Sequence, residues 1–147
     1  MDIKQEAIKL FNETWDLMDL KERTQEQQAL MLHKTHASYY LWSLCGEKVN
    51  LARGEWQVSR AYALLHMGQP ALLHGQRSLD ICLENGIAGF DLPFGHEAVA
   101  RAYHELGDKQ NSQKYITLGR EACEGITDEH DKAYALSEIS SIDSEGE

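Results

Sequence analysis

Residues 98–110, Ala98-Val99-Ala100-Arg101-Ala102-Tyr103-His104-Glu105-Leu106-Gly107-Asp108-Lys109-Gln110, decide how this chain is read. Small side chains at Ala98, Ala100 and Ala102 let a second helix approach closely, and Tyr103 is large enough to fill the space between two helices. Gly107-Asp108 then turns the chain before another helix begins. The stretch is therefore the end of one helix, a tight turn and the start of the next.

Working outward, helices account for nearly everything. The only two prolines, Pro70 and Pro93, each mark a helix start, where a missing N–H costs least. Ile8, Phe11, Trp15 and Met18 draw one apolar stripe on a first helix from about Asp2 to Leu20. Thr24 and Gln27 form a capping-box pattern that opens a second helix, with Leu30, Ala37, Tyr40, Leu41 and Leu44 as its apolar positions and Gly46 as its stop. A third helix is expected over Glu55–Met67, a fourth over Pro70–Glu84 and a fifth over Pro93–Leu106. The sixth runs from Lys109 to about Glu124, and Thr127 or Asp128 caps a seventh reaching Ile142. Residues 1–142 thus form one helical domain, and residues 143–147 read as a disordered acidic tail.

The helices fall into pairs. Cys45, Cys82 and Cys123 each sit near the end of the second helix of a pair, 37 and 41 residues apart, and the turn glycines Gly68 and Gly107 are 39 apart. This pattern resembles that of tetratricopeptide (TPR) helical repeats, whose period is about 34 residues. Counted from Gly107, the packing positions of that repeat fall on His96, Val99, Ala100, Tyr103, Ser112 and Gly119, small or aromatic as the pattern requires. Counted from Gly68, Ala61 and Leu64 fit, whereas Gln57 and Arg60 depart. The resemblance implies an all-α fold of about seven helices in antiparallel hairpins, a TPR-like right-handed superhelix with a C-terminal capping helix.

Composition narrows the function classes. A formal net charge of −10 repels nucleic acid and anionic lipid more than it attracts them. No stretch approaches the roughly 18 apolar residues of a membrane span, and the N-terminus carries no basic and apolar leader pattern. Three cysteines without a CxxC pair give neither a disulfide framework nor a zinc ribbon, and a cytoplasmic location is expected. No Gly-rich phosphate loop or GxSxG elbow occurs, so no enzyme activity is expected.

In TPR proteins the first helix of each pair lines a concave face that takes a peptide. The resemblance therefore implies a non-enzymatic protein- or peptide-binding module, with Trp56, Arg60, Tyr62 and His66 of the third helix and Phe94, Glu97, Arg101 and His104 of the fifth as binding residues. Val58 and Leu65 fall on the same expected lining. The Lys and Asn residues with which chaperone-binding TPR domains hold a carboxylate are missing. Arg60 falls at a packing position, where a guanidinium loses solvent and needs Asp80, Asp91 or Glu97 as partner. The alternative is a small-molecule or metal sensor built on a polar cleft of His33, His36, Arg60 and Glu97. His33-x-x-His36 places two imidazoles on one helix face, with His66, His74, His96 or Glu97 as a possible third ligand, but neither a HExxH pattern nor a pair of Glu-x-x-His motifs accompanies it, and no cofactor is expected. Phe11 and Trp15 offer an aromatic surface for homodimerisation.

Overall fold

A computed structural model describes residues 1–144. Among the described residues there are seven α-helices and no strand: α1 (Ile3–Met18), α2 (Gln25–Cys45), α3 (Lys48–Leu64), α4 (Gly68–Glu84), α5 (Asp91–Glu105), α6 (Lys109–Ala122) and α7 (Glu129–Ser144), with a 3-10 turn over Cys123–Gly125. Each helix packs on the next. The odd-numbered helices also pack on one another, α3 against α5, α5 against α7 and, more lightly, α1 against α3.

Local chemistry sets the boundaries. Asp2 accepts from the Gln5 N–H to cap α1, the Thr24 and Gln27 box closes reciprocally at α2, and Asp108 and Asp128 accept from the N–H groups three residues on at α6 and α7. Pro70 and Pro93 lie within the first turn of α4 and α5, which begin two residues earlier than the prolines themselves. α3 begins at Lys48 rather than near Glu55, because Glu47 and Asn50 form a second capping box. α7 continues to Ser144, two residues past the expected Ile142, so Asp143 and Ser144 belong to a helix; the remainder of the expected tail, 145–147, lies outside the described residues.

α2 departs from expectation in which face it buries. Met31, Thr35, Ser38 and Trp42 point inward, while Leu30, Ala37, Tyr40 and Leu44 are exposed. Both sets have helical spacing. The inward set wins because its hydroxyls are used: Thr35 Oγ1 donates to Gln57 Oε1 at 2.8 Å and Ser38 Oγ to the Ala7 carbonyl at 2.9 Å. Gln57 in turn donates to the Phe11 carbonyl, so this polar residue at a packing position ties α1, α2 and α3 together.

The second and third hairpins superpose in sequence with a period of 41 rather than 39. Tyr62 stacks on His74 at 5.8 Å, and Tyr103 on Tyr115, 41 residues later in each case, at 5.9 Å. Ser59 Oγ donates to the Ala71 carbonyl; at the equivalent pair, 100 and 112, Ser112 Oγ donates to the Ala100 carbonyl. Cys82 and Cys123 are both buried at matching positions. Glycine supports this nesting where helices cross: a Cβ on Gly95 would lie 3.0 Å from Leu79 Cα. A Cβ on its equivalent, Gly54, would lie 2.9 Å from Cδ1 of the Tyr39 ring.

The true counterpart of Gly107 is therefore His66. Gly107 has φ 75° and His66 has φ 58°. In both turns the following N–H reaches back across the helix end, Asp108 to the Tyr103 carbonyl at 2.9 Å and Met67 to the Tyr62 carbonyl at 3.0 Å. No helix among the described residues is long and apolar enough to cross a membrane.

Candidate functional site

The period of 41 also organises a cleft. Phe11, Ala52 and Tyr134 occupy one repeat position, counting Pro93 as the third member of that column, and Trp15 and Trp56 occupy another. All five border one opening of about 410 Å³, together with Arg53, Ser78, Phe90, Asp91 and Phe94. Its walls come from α1, α3, α5 and α7, with Ser78 from α4 at the base and Phe90 immediately ahead of α5.

The walls are aromatic. Trp15 stacks on Trp56 with centroids 5.6 Å apart, and Phe94 meets Trp56 edge-on at 5.8 Å. Phe94 also contacts Phe90 at 4.8 Å and Tyr134 at 5.9 Å. Such tilted and edge-on pairs fix one another's orientation as well as removing area from water. Phe11 and Trp15 are thus walls within one molecule.

Polar groups on the cleft are partnered within the protein. Arg53 makes a bidentate bridge to Asp91 at 2.8 and 3.0 Å across the mouth, joining α3 to α5. Ser78 Oγ donates to the Ala52 carbonyl and the Tyr134 hydroxyl to Glu138. Cys82 has its thiol pushed up to about 11, by burial first and the Asp91 charge second, which keeps it in the neutral thiol form near pH 7.

Beneath the walls lies a buried ionic cluster. Glu97, fully buried, accepts from Trp56 Nε1 at 2.8 Å, Arg60 Nη2 at 3.1 Å and Arg101 Nε at 2.7 Å. Burial alone would raise the Glu97 carboxyl; the charges of Arg60 and Arg101, with the hydrogen bonds from Arg101 and Trp56, outweigh it and hold the group below the usual carboxylate range. Arg60 also lies over the Trp56 ring, 5.1 Å from its centroid. Arg101 Nη2 donates to the Glu138 carbonyl at 3.1 Å and Ser141 Oγ at 2.8 Å, which fastens α7 to α5.

The expected binding residues therefore separate. Trp56 and Phe94 line the cleft. Arg60, Glu97 and Arg101 stand behind it, and the acceptor for Arg60 is Glu97, since Asp91 is taken by Arg53. Tyr62 is elsewhere: its hydroxyl pairs with His36 Nε2 at 2.8 Å, and its ring stacks on His74, whose Nδ1 pairs with the buried Glu55 at 3.0 Å. His66 is a largely exposed turn residue paired with Glu105, and His104 sits half-buried in the last turn of α5. Val58 is a core residue. The polar cleft of His33, His36, Arg60 and Glu97 does not form as one surface, because Arg60 and Glu97 neutralise each other while His36 belongs to the Tyr62–His74 group. Among the described residues no three His, Cys, Asp or Glu side chains converge on a metal-sized position.

Sequence reasoning missed Arg53, Phe90 and Tyr134. The period of 41, which aligns Phe11, Ala52 and Tyr134, is the signal that finds the last of these. Comparison of the chain with protein-family models, with curated proteins and with solved structures gave no match.

Proposed function

We propose that the chain is a TPR-like binding module whose aromatic cleft receives an apolar side chain from a protein or peptide. The observation that carries this reading is that one open, aromatic-walled cleft is lined by equivalent repeat positions of successive helices, Phe11, Ala52 and Tyr134 from α1, α3 and α7, Trp15 and Trp56 from α1 and α3, and Arg53 and Phe94 from α3 and α5. That is the face on which helical-repeat proteins offer a continuous binding surface. The cleft's polar groups are already paired with one another, so it favours an apolar insert over a charged one. The reading assigns no chemistry to any side chain and needs no cofactor.

A small apolar molecule is the second reading. The volume of about 410 Å³ falls within the range of small-ligand pockets, ~300–1,000 Å³. It uses the same walls and replaces the sensor based on His33, His36, Arg60 and Glu97.

Selection from a random peptide library tests the first reading, with binding followed by the fluorescence of Trp15 and Trp56. Selected peptides should share a large apolar residue, and Phe94→Ala should weaken them by about tenfold or more, as truncation of a central aromatic contact does. Peptides that bind Phe94→Ala equally well would refute the peptide reading. An empty selection combined with tight uptake of a neutral apolar dye, lost in Phe94→Ala, would transfer the cleft to the second reading.

A further inference from the structure

We infer that the outer face of α2 is a self-association surface, on which a second copy of the chain docks antiparallel about a two-fold axis at Ala37.

The exposed residues Leu30, His33, Ala37, Tyr40 and Leu44 follow one another at intervals of three, four, three and four. This is the seam spacing of helices that pack side by side at about 20°. α2 is consequently apolar on two opposite sides. One side, Met31 to Trp42, is buried against α1 and α3; the other lies open, with Tyr40 62%, Leu44 55% and Leu30 44% exposed. A surface helix ordinarily keeps charge on its outward side. Here the helix carries only two ionised residues, Glu26 near its start and Lys34, and Lys34 is held by Glu13 of α1 at 2.7 Å.

Two properties select a second copy as the occupant. The chain carries a formal net charge of −10, so most pairs of its surfaces repel, whereas residues 27–45 of α2 hold no carboxylate and the like charges are confined to the ends of the strip, at Glu26 and Glu47. The strip is also close to palindromic in side-chain size. A two-fold axis at Ala37 sets Leu30 against the partner copy's Leu44, seven residues either side of the axis, and places a small side chain where the helices approach most closely. His33 and Tyr40 then meet across the axis, an imidazole against a phenol. Such reciprocity is what an isologous interface requires.

The strip spans 14 residues, ~21 Å of helix. At one helix diameter wide it is well short of the roughly 800 Å² per partner of a standard interface, so the dimer is weak and concentration-dependent, with Kd above roughly 1 µM.

Sedimentation of the full chain from about 1 µM to about 1 mM tests this. A reversible monomer–dimer equilibrium is expected, weakened by about tenfold or more in Ala37→Glu, which sets two like charges together on the axis, and in Tyr40→Glu, which takes a carboxylate out of water and removes the most exposed large side chain of the strip, with helical circular dichroism unchanged in at least one of them. A chain monomeric at the highest concentration, a dimer indifferent to both charge variants, or an oxidised wild type linked through Cys45 on both copies would each overturn the proposal.

Discussion

The indole N–H of Trp56 donates to the buried carboxylate of Glu97 at 2.8 Å, so a wall of the apolar cleft is anchored to the one acid that also neutralises two arginines. Cleft shape and core electrostatics are therefore coupled through a single side chain. Glu97→Gln keeps the shape and removes the charge, leaving Arg60 and Arg101 near one another without a counter-ion. Breaking a buried charge cluster in this way costs about 3–5 kcal/mol. At roughly 2–4 °C per kcal/mol for a chain of this size, melting followed by circular dichroism should fall by about 6–20 °C. An unchanged melting temperature would show that the cluster is not ionised as described.

The two arginines differ in what they hold. Arg101 bonds to Glu97, to the Glu138 carbonyl and to Ser141, and is 4% exposed; Arg60 bonds to Glu97 through Nη2, and its Nε is buried without a hydrogen-bond partner among the described residues. Removing Arg101 strands acceptors on two helices, whereas Arg60→Met also removes an unsatisfied donor. Arg101→Met should therefore cost more than Arg60→Met, and it should loosen α7 selectively. Amide hydrogen exchange that rises across α7 in Arg101→Met alone is the expected signature. Equal losses in the two variants would contradict the assignment.

His66 ends α3 in a left-handed conformation that Gly107 occupies at the equivalent point after α5. A side chain there costs roughly 1–2 kcal/mol, less what glycine gains in the unfolded chain. His66→Gly should stabilise the fold by up to about 1 kcal/mol, and Gly107→Ala should destabilise it by about 1 kcal/mol. Urea midpoints at constant slope measure both. Destabilisation by His66→Gly would mean that the Glu105 contact, at 3.0 Å on a largely exposed ring, outweighs the backbone.

These elements were unequally legible in the sequence. Caps declare themselves locally, which is why Thr24, Gln27 and Asp128 could be placed from side-chain type alone. The orientation of α2 could not, since Leu30–Leu44 and Met31–Trp42 share the helical period and the buried set includes Thr35 and Ser38, whose burial depends on acceptors supplied by α1 and α3. Arg60 could be recognised as a residue in need of an anion. Choosing Glu97 over Asp91 required knowing that Arg53, one turn before Gln57 on α3, had already claimed Asp91. The cleft was hidden for a related reason: its walls come from four helices, and the register that aligns them is 41, while the turn glycines alone suggest 39.

Acid should weaken the fold in two stages. His36 and His96 both have their titration moved below the ordinary imidazole value. Burial is the main cause in each, reinforced at His36 by the charges of His74 and His33 and opposed by Glu55, and opposed at His96 by Glu121. The facing groups at His36 are Tyr62 and Glu55 from α3 and His74 from α4; His96 carries a buried Nδ1 without a hydrogen-bond partner among the described residues and lies beside Tyr115. A lowered imidazole pKa means that the unfolded chain takes up protons first, so stability is full above about pH 6.5 and declines as pH falls through that value. Glu97, held below its ordinary value, is stabilising above pH 4.5 and is lost only at lower pH. Urea unfolding at stepped pH should therefore show a shallow decline beginning near pH 6.5 and a steeper one below pH 4.5. His96→Gln should remove part of the first and leave the second, and Glu97→Gln should remove the second; a single transition confined to the carboxylate range would disprove the histidine contribution.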